Sequence, residues 1–267
     1  MKFVDTHTHL DTLTWADMEN MTMAGVQTVI SPIHLDAGKP VSCKTIRDMW
    51  DFLFDVQFWR ARENFITPYA MIGITMVSTP ADDPEELYAI LPEYLRRPEV
   101  VAIGEIGFEP NSDTCKDLDF QELLVRRQIE IAGETDVCVD FHLPGPADAK
   151  VHYTDKLIDI CRDCELPMTK VVMDHCSEAN VGQVLEAGAH AAISVQPWRN
   201  MTPEKAADIV MAHGVERIMF DSDCSCLASD PLALPKTALA LKRKGLADED
   251  IEKVMYHNAQ RFFGLKA

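Results

Sequence analysis

Eight short apolar runs, rich in Val and Ile, recur along the chain, and each is followed by a stretch with helical spacing. They cover residues 2–9, 26–31, 66–74, 100–106, 137–142, 170–175, 191–195 and 217–221. Runs of this kind suit strands buried on both faces. Strands that alternate with helices imply parallel pairing through crossover connections. Eight repeats within 267 residues fit a closed (β/α)8 TIM barrel, an α/β fold forming one domain over 1–267. No Gly-x-Gly-x-x-Gly follows the first run, which argues against a dinucleotide-binding sheet.

Local signals agree with this alternation. Thr14 precedes a helical stretch at Trp15, and Thr202 reads as an N-cap with Pro203 at the first helical position. Helical spacing recurs over 118–134, 155–164, 178–187 and 203–213, and Gly25 and Gly188 sit where helices should stop. Segments 35–44 and 76–84 read as turn-rich loops.

In a barrel of this type the chemistry lies at the C-terminal ends of the strands. His7 and His9 end the first run, Glu105 the fourth, His142 the fifth and His175 the sixth, while Asp221 and Asp223 follow the eighth. Side chains alternate along a strand, so Asp5, His7 and His9 share a face, with the imidazoles about 6–7 Å apart. Neutral imidazole is the commonest side-chain metal ligand. Singly, each residue passes for a cap or a core polar group; together they predict a metal site on one rim.

The balance of 25 Lys+Arg against 43 Asp+Glu gives a net charge of −18, which disfavours long-range attraction of nucleic acid or anionic lipid. It leaves room for a small anionic substrate, because bound cations dominate a site locally. No apolar run approaches the roughly 20 residues of a membrane span, and no secretory leader is visible, so the cytoplasm is the expected location. Eight cysteines are too few for a disulfide scaffold, and Cys161-x-x-Cys164 reads as a pair of reduced thiols.

Six segments carry a family resemblance. They are Asp5-Thr-His7-Thr-His9-Leu10, Ala102-Ile-Gly-Glu105-Ile-Gly-Phe108, the Gln121…Gln128 stretch leading to His142, His175, Arg217-Ile-Met-Phe-Asp-Ser-Asp223, and Asn258-Ala-Gln-Arg261-Phe-Phe-Gly. On these the chain resembles the TatD-type metal-dependent hydrolases of the amidohydrolase superfamily, in particular a TatD-related branch that also carries a segment like 229–238. EboB-like proteins look similar over the same stretches. The resemblance implies that His7, His9 and Asp223 hold one metal, that Glu105 bridges two, and that His142 and His175 hold the second. Asp223 matches the superfamily's strand-eight aspartate; Asp221, two residues earlier, stays open as a substitute. Two departures stand out. TatD nucleases usually carry an arginine two residues after the fifth-strand histidine, where this chain has Pro144, and Cys176-Ser-Glu178 replaces the usual Phe-Ser-Gly type segment. Both put DNA hydrolysis in doubt.

Mixed His and carboxylate donors suit two divalent transition-metal ions, Zn, Mn, Fe, Co or Ni, better than Mg or Ca. A metal lowers the pKa of a water it holds towards about 7, and Asp223 would orient that water and take its proton, with Glu105 as the second catalytic carboxylate. The expected substrate is a small polar molecule: an amide, lactone or phosphoester. A TatD-type deoxyribonuclease and a catalytically silent metal-binding barrel within a biosynthetic complex are the competing functions. A homo-oligomer is open.

Other residues carry weaker expectations. His34, Trp198 and Arg199 would line the substrate, although Arg199 also reads as a solvated surface residue. Asp5 reads equally as support for His7 or as barrel packing. Cys176, Cys224 and Cys226 read as packing, His190 lies at the wrong strand end, and His152, His213 and His257 read as structural. The aromatic stretch 49–59 suits helix packing, a dimer surface or a lid, and Asn258 and Arg261 suit locking the last helix to the barrel.

Overall fold

The computed structural model describes residues 1–34, 41–76, 80, 83–112, 115 and 117–266. Eight strands pair in sequence order, all parallel: β1 (Phe3–Asp5), β2 (Val26–Ser31), β3 (Thr67–Met71), β4 (Val100–Gly107), β5 (Cys138–His142), β6 (Val171–Met173), β7 (His190–Ser194) and β8 (Ile218–Asp221). Helices connect them on the outside, and the sheet curls into a nearly closed (β/α)8 barrel. The seam between its first and last strands is joined by Thr6, whose N–H and Oγ1 both donate to Phe220 O at 3.3 and 3.1 Å.

Two apolar layers build the core. Val4, Ile30, Met71, Ala102, Val172, Ala192 and Met219 fill the barrel interior, so it is a packed core and no pore. Phe3, Val29, Ile103, Phe141 and Ile193, on the alternate positions, pack outward against the helices.

The expected caps are in place. Thr14 and Asp17 form a reciprocal capping box for the helix Trp15–Met23, and Thr202 Oγ1 accepts from Lys205 N ahead of the helix Pro203–His213. One loop needs correction. The helix Cys43–Phe52 begins inside the segment read as loop 35–44, because Ser42 Oγ accepts from Thr45 N at 3.1 Å and starts it there. The rest of that loop and of 76–84 lies largely outside the described residues.

The aromatic stretch splits by face: Trp50, Phe54 and Phe58 are buried, while Phe52 and Trp59 are exposed. Asn258 Nδ2 donates to Val215 O and Ile218 O, and Arg261 donates to Asn258 Oδ1, which ties the last helix to β8. None of the eight cysteines is in a disulfide bond. Among the described residues, no helix is long and apolar enough to cross a membrane.

Candidate metal centre

β1 stops at Asp5, two residues before the first histidine, which corrects the strand expected over 2–9. Beyond Asp5 the backbone bonds to its neighbours individually: Thr8 N donates to Ile30 O, His9 N to Cys224 O, and Asp223 N to His7 O. The two imidazoles therefore converge through a turn, and not through alternation along a strand face. Their Nε2 atoms lie 3.2 Å apart, closer than strand spacing predicts. Asp223 Oδ1 is 4.0 Å from His7 Nε2 and 3.6 Å from His9 Nε2.

The other half of the rim comes from β4, β5 and the turn after β6. His142 Nδ1 lies 2.8 Å from Glu105 Oε2 and 3.1 Å from His175 Nε2, and Glu105 Oε2 is 3.7 Å from His175 Nε2. Gly107 makes this approach possible. It has a φ of +152°, and a Cβ there would sit 2.3 Å from His142 O. His175 does not end a strand, since β6 stops at Met173; its φ of +59° swings the ring inward. The halves meet where the His7 and His175 ring centroids are 5.5 Å apart.

Four supporting residues, Asp174, Ser194, Glu109 and Gln196, went unread in the sequence. Asp174 Oδ2 lies 2.5 Å from His7 Nδ1, while its Oδ1 accepts from His175 N and from Ser194 Oγ, which in turn lies 2.6 Å from His175 Nδ1. Glu109 Oε2 is 3.7 Å from His142 Nε2. Gln196 Nε2 donates to Asp223 O. The only hint was an acidic residue directly before His175, which strand alternation would send to the opposite face.

Burial opposes charge throughout the cluster, yet neighbours reverse its effect at most positions. Burial disfavours a His7 cation, but Asp174, Glu105 and Asp223 hold its pKa well above the ordinary imidazole value. His142 is likewise pushed up to about 9 by Glu105 and Glu109. Burial would raise Glu105, but His7, His142 and His175 keep it well below the usual carboxylate range. Asp223 is also held low, by His9 and Arg199 foremost, against burial. His175 goes the other way, to about 4, from burial and the charge of Arg199.

This donor set fits divalent metal ions. Neutral imidazole nitrogens that face one another at 3.2 Å and 3.1 Å need a proton or a cation between them. Ligand atoms of His7, His9 and Asp223 lie within 4.8 Å of one another, as do those of His7, Glu105 and His175. Imidazole nitrogen mixed with carboxylate oxygen is a transition-metal donor set.

The remaining candidates fall around this rim. Asp221 is fully buried at the end of β8, neither carboxylate oxygen has a hydrogen bond with a described residue, and burial with the nearby Asp174 charge raises its pKa well above the ordinary value. It belongs to none of the close ligand groups found among the described residues. Asp5 Oδ1 and Oδ2 accept from Ser222 N and Oγ at 3.0 and 2.6 Å, which joins β1 to the residue after β8. His34 stacks edge-on against His9 with centroids 4.9 Å apart, and Cys226 Sγ is 3.6 Å from its Nε2. Arg199 departs from the solvated-surface reading: its side chain is 21% exposed and its Nε donates to Asp223 Oδ2 at 2.9 Å. Trp198, 63% exposed, and Arg199 border a cavity of about 400 Å³ that reaches His175. Lys150, buried beneath it, donates its ammonium to His175 O, and burial lowers its pKa to about 8.

The family described as TatD related DNase matches residues 4–264. A protein named as an uncharacterized metal-dependent hydrolase of Methanocaldococcus jannaschii is 28% identical over 262 residues, covering 98% of this chain and 100% of its own. The crystal structure of a TatD-like protein from Archaeoglobus fulgidus superposes with a TM-score of 0.78 at 26% identity, over 98% of this chain and 100% of that one. The fold alone is shared with β-aspartyl dipeptidase from Fervidobacterium islandicum, at a TM-score of 0.69 and 17% identity, over 98% of this chain and 75% of that one. With all but a few terminal residues matched, the chain belongs to the TatD-related family and is an enzyme of the hydrolase type.

Proposed function

We propose that this protein is a dinuclear metal-dependent hydrolase acting on a small polar substrate: an amide, a lactone or a phosphoester. One observation carries the reading: four histidines, Glu105 and Asp223 crowd onto one barrel rim, with imidazole nitrogens facing each other at hydrogen-bond distance. His7, His9 and Asp223 would hold one ion, His142 and His175 the other, and Glu105 would lie between them. When bound, such ions lower the pKa of a water and offset the charge that builds on a substrate oxygen.

The chain's own residues do the rest. Asp223 is kept ionised by Arg199 and the neighbouring imidazoles, so its carboxylate can orient a water and receive a proton. Asp174 and Ser194 fix the ring orientation of His7 and His175, so each presents its Nε2 to the rim. Burial of Asp223, Asp174, Ser194, His7 and His175, each under a tenth exposed, excludes bulk water and strengthens every charge interaction there.

DNA phosphodiester hydrolysis is the second reading, favoured by the description of the matched family. The −18 charge and Pro144, where nucleases usually place arginine, weigh against it. Metal analysis of protein purified without chelators tests the first reading. Stoichiometric transition metal that is lost in His142→Ala is the expected result. Substoichiometric metal, with no hydrolysis restored by Mn²⁺ or Zn²⁺, would sink it. A panel of plasmid DNA, phosphodiester, lactone and amide substrates then separates the two.

A further inference from the structure

The cavity of about 400 Å³ beside His175 has an unusual lining for so acidic a chain. Two cations, Lys150 and Arg199, face it, with Ser177 and Asn200 as neutral donors, and no described residue that lines it is acidic. Lys150 is 5% exposed, and its ammonium donates to the backbone oxygen of His175. Among the described residues, no carboxylate lies within ion-pairing distance of that ammonium. Arg199 uses Nε on Asp223, and its two terminal nitrogens make no hydrogen bond with a described residue. The helix Ala147–Asp163 also begins at the cavity, and Pro146 gives it no side-chain cap, so the positive end of the helix dipole faces the recess.

A buried cation whose nearest carboxylates, here Asp174 and Glu178, act on it only from beyond ion-pairing distance is costly, and a ligand of opposite sign in contact with it reduces the cost. An ammonium and a guanidinium fork around one recess match the oxygens of a carboxylate or a phosphoryl group. The recess adjoins His175 but is distinct from the cluster of imidazoles and carboxylates. We propose that it is an oxyanion subsite, which holds a carboxylate or phosphoryl group of the substrate beside the bond that is cleaved. The proposal rests on the hydrolase reading and narrows its substrate class to anionic molecules. The anion would displace no metal ligand, since Lys150 and the free edge of Arg199 are the groups that receive it.

Titration calorimetry on the full-length, metal-loaded protein tests this, with inorganic phosphate and acetate as separate probes and metal content measured in every sample. Ala147→Asp puts a negative charge at the exposed lip of the recess without touching the buried core, and Lys150→Met removes the ammonium. Each is expected to weaken binding of the better anion by about ten-fold or more at unchanged metal content. The arm that binds more tightly identifies the group as phosphoryl or carboxylate. If both anions bind Ala147→Asp as tightly as wild type, they sit on the metals and the subsite is refuted; the same follows if neither binds the metal-loaded wild type. Should Lys150→Met fail to fold, Ala147→Asp alone decides. A wild-type protein without metal overturns the hydrolase reading instead, which is a different result from a metal-loaded protein that ignores both anions.

Discussion

Asp174 Oδ2 lies 2.5 Å from His7 Nδ1, although 167 positions separate the two residues in the chain. The contact fixes the tautomer and rotation of His7 and turns its Nε2 towards His9 and Asp223. Through Ser194 the same carboxylate also steadies His175, so one residue braces a histidine in each half of the rim. Asp174→Asn keeps the shape but removes the charge. Metal affinity is expected to drop by about 10–100-fold while the fold persists. Competition against a chromogenic chelator measures it, and affinity equal to wild type would show that Asp174 only packs.

The choice between the two strand-eight aspartates is open to direct test. Asp223 lies within 4.0 Å of His7 and His9 Nε2, while Asp221 is buried with neither oxygen hydrogen-bonded to a described residue. Asp223→Asn is expected to lower metal content about ten-fold or more, and Asp221→Asn to leave it within experimental scatter. Atomic absorption on the two purified variants reads this, and the reverse order would reassign the ligand.

Gln128 clamps the loop after β3. Its Oε1 accepts from Ile74 N at 2.6 Å, its Nε2 donates to Ile74 O at 3.0 Å, and the side chain is fully buried. Gln128→Leu leaves both backbone groups of Ile74 without partners. The expected loss is about 2–6 kcal/mol, from an unsatisfied-group cost of about 1–3 kcal/mol for each of the two groups. A urea midpoint that does not move would refute the clamp.

His190 supplies a pH test far from the metal centre. Burial, helped by Arg217 and Arg261, lowers its pKa from 6.5 to about 4. The folded protein therefore keeps it neutral where the unfolded chain protonates it. Its contribution is fully present above pH 6.5 and is lost as pH falls from there towards 4. Thermal midpoints over this window should fall less steeply in His190→Gln than in wild type. Parallel curves would show that His190 does not titrate in this way.

Much of the architecture was legible because strand burial leaves a strong imprint on sequence. β2 falls on the expected residues 26–31, and the helix Pro203–His213 falls on its expected span because Thr202 and Pro203 mark its start. The metal-site candidates were legible for the same reason: polar residues at the ends of apolar runs are conspicuous. Asp174 and Lys150 were not. Strand alternation sends Asp174 to the face opposite His175, and only the positive φ of His175 puts both to work at the rim. Lys150 sits on a helix, where a lone lysine reads as solvated surface until the packing buries it.

The sequence by itself determined the alternation of elements and the parallel sheet, since these follow from local hydrophobic periodicity and strand direction, and it offered His7, His9, Glu105, His142, His175 and Asp223 as candidate donors. Only the tertiary structure decided how those donors meet. His7 and His9 converge through a turn held by hydrogen bonds to β2 and to residues after β8, and Asp223 reaches them through its bond to His7 O. The contacts to residues after β8 join positions more than two hundred apart, and local patterning carries no record of them.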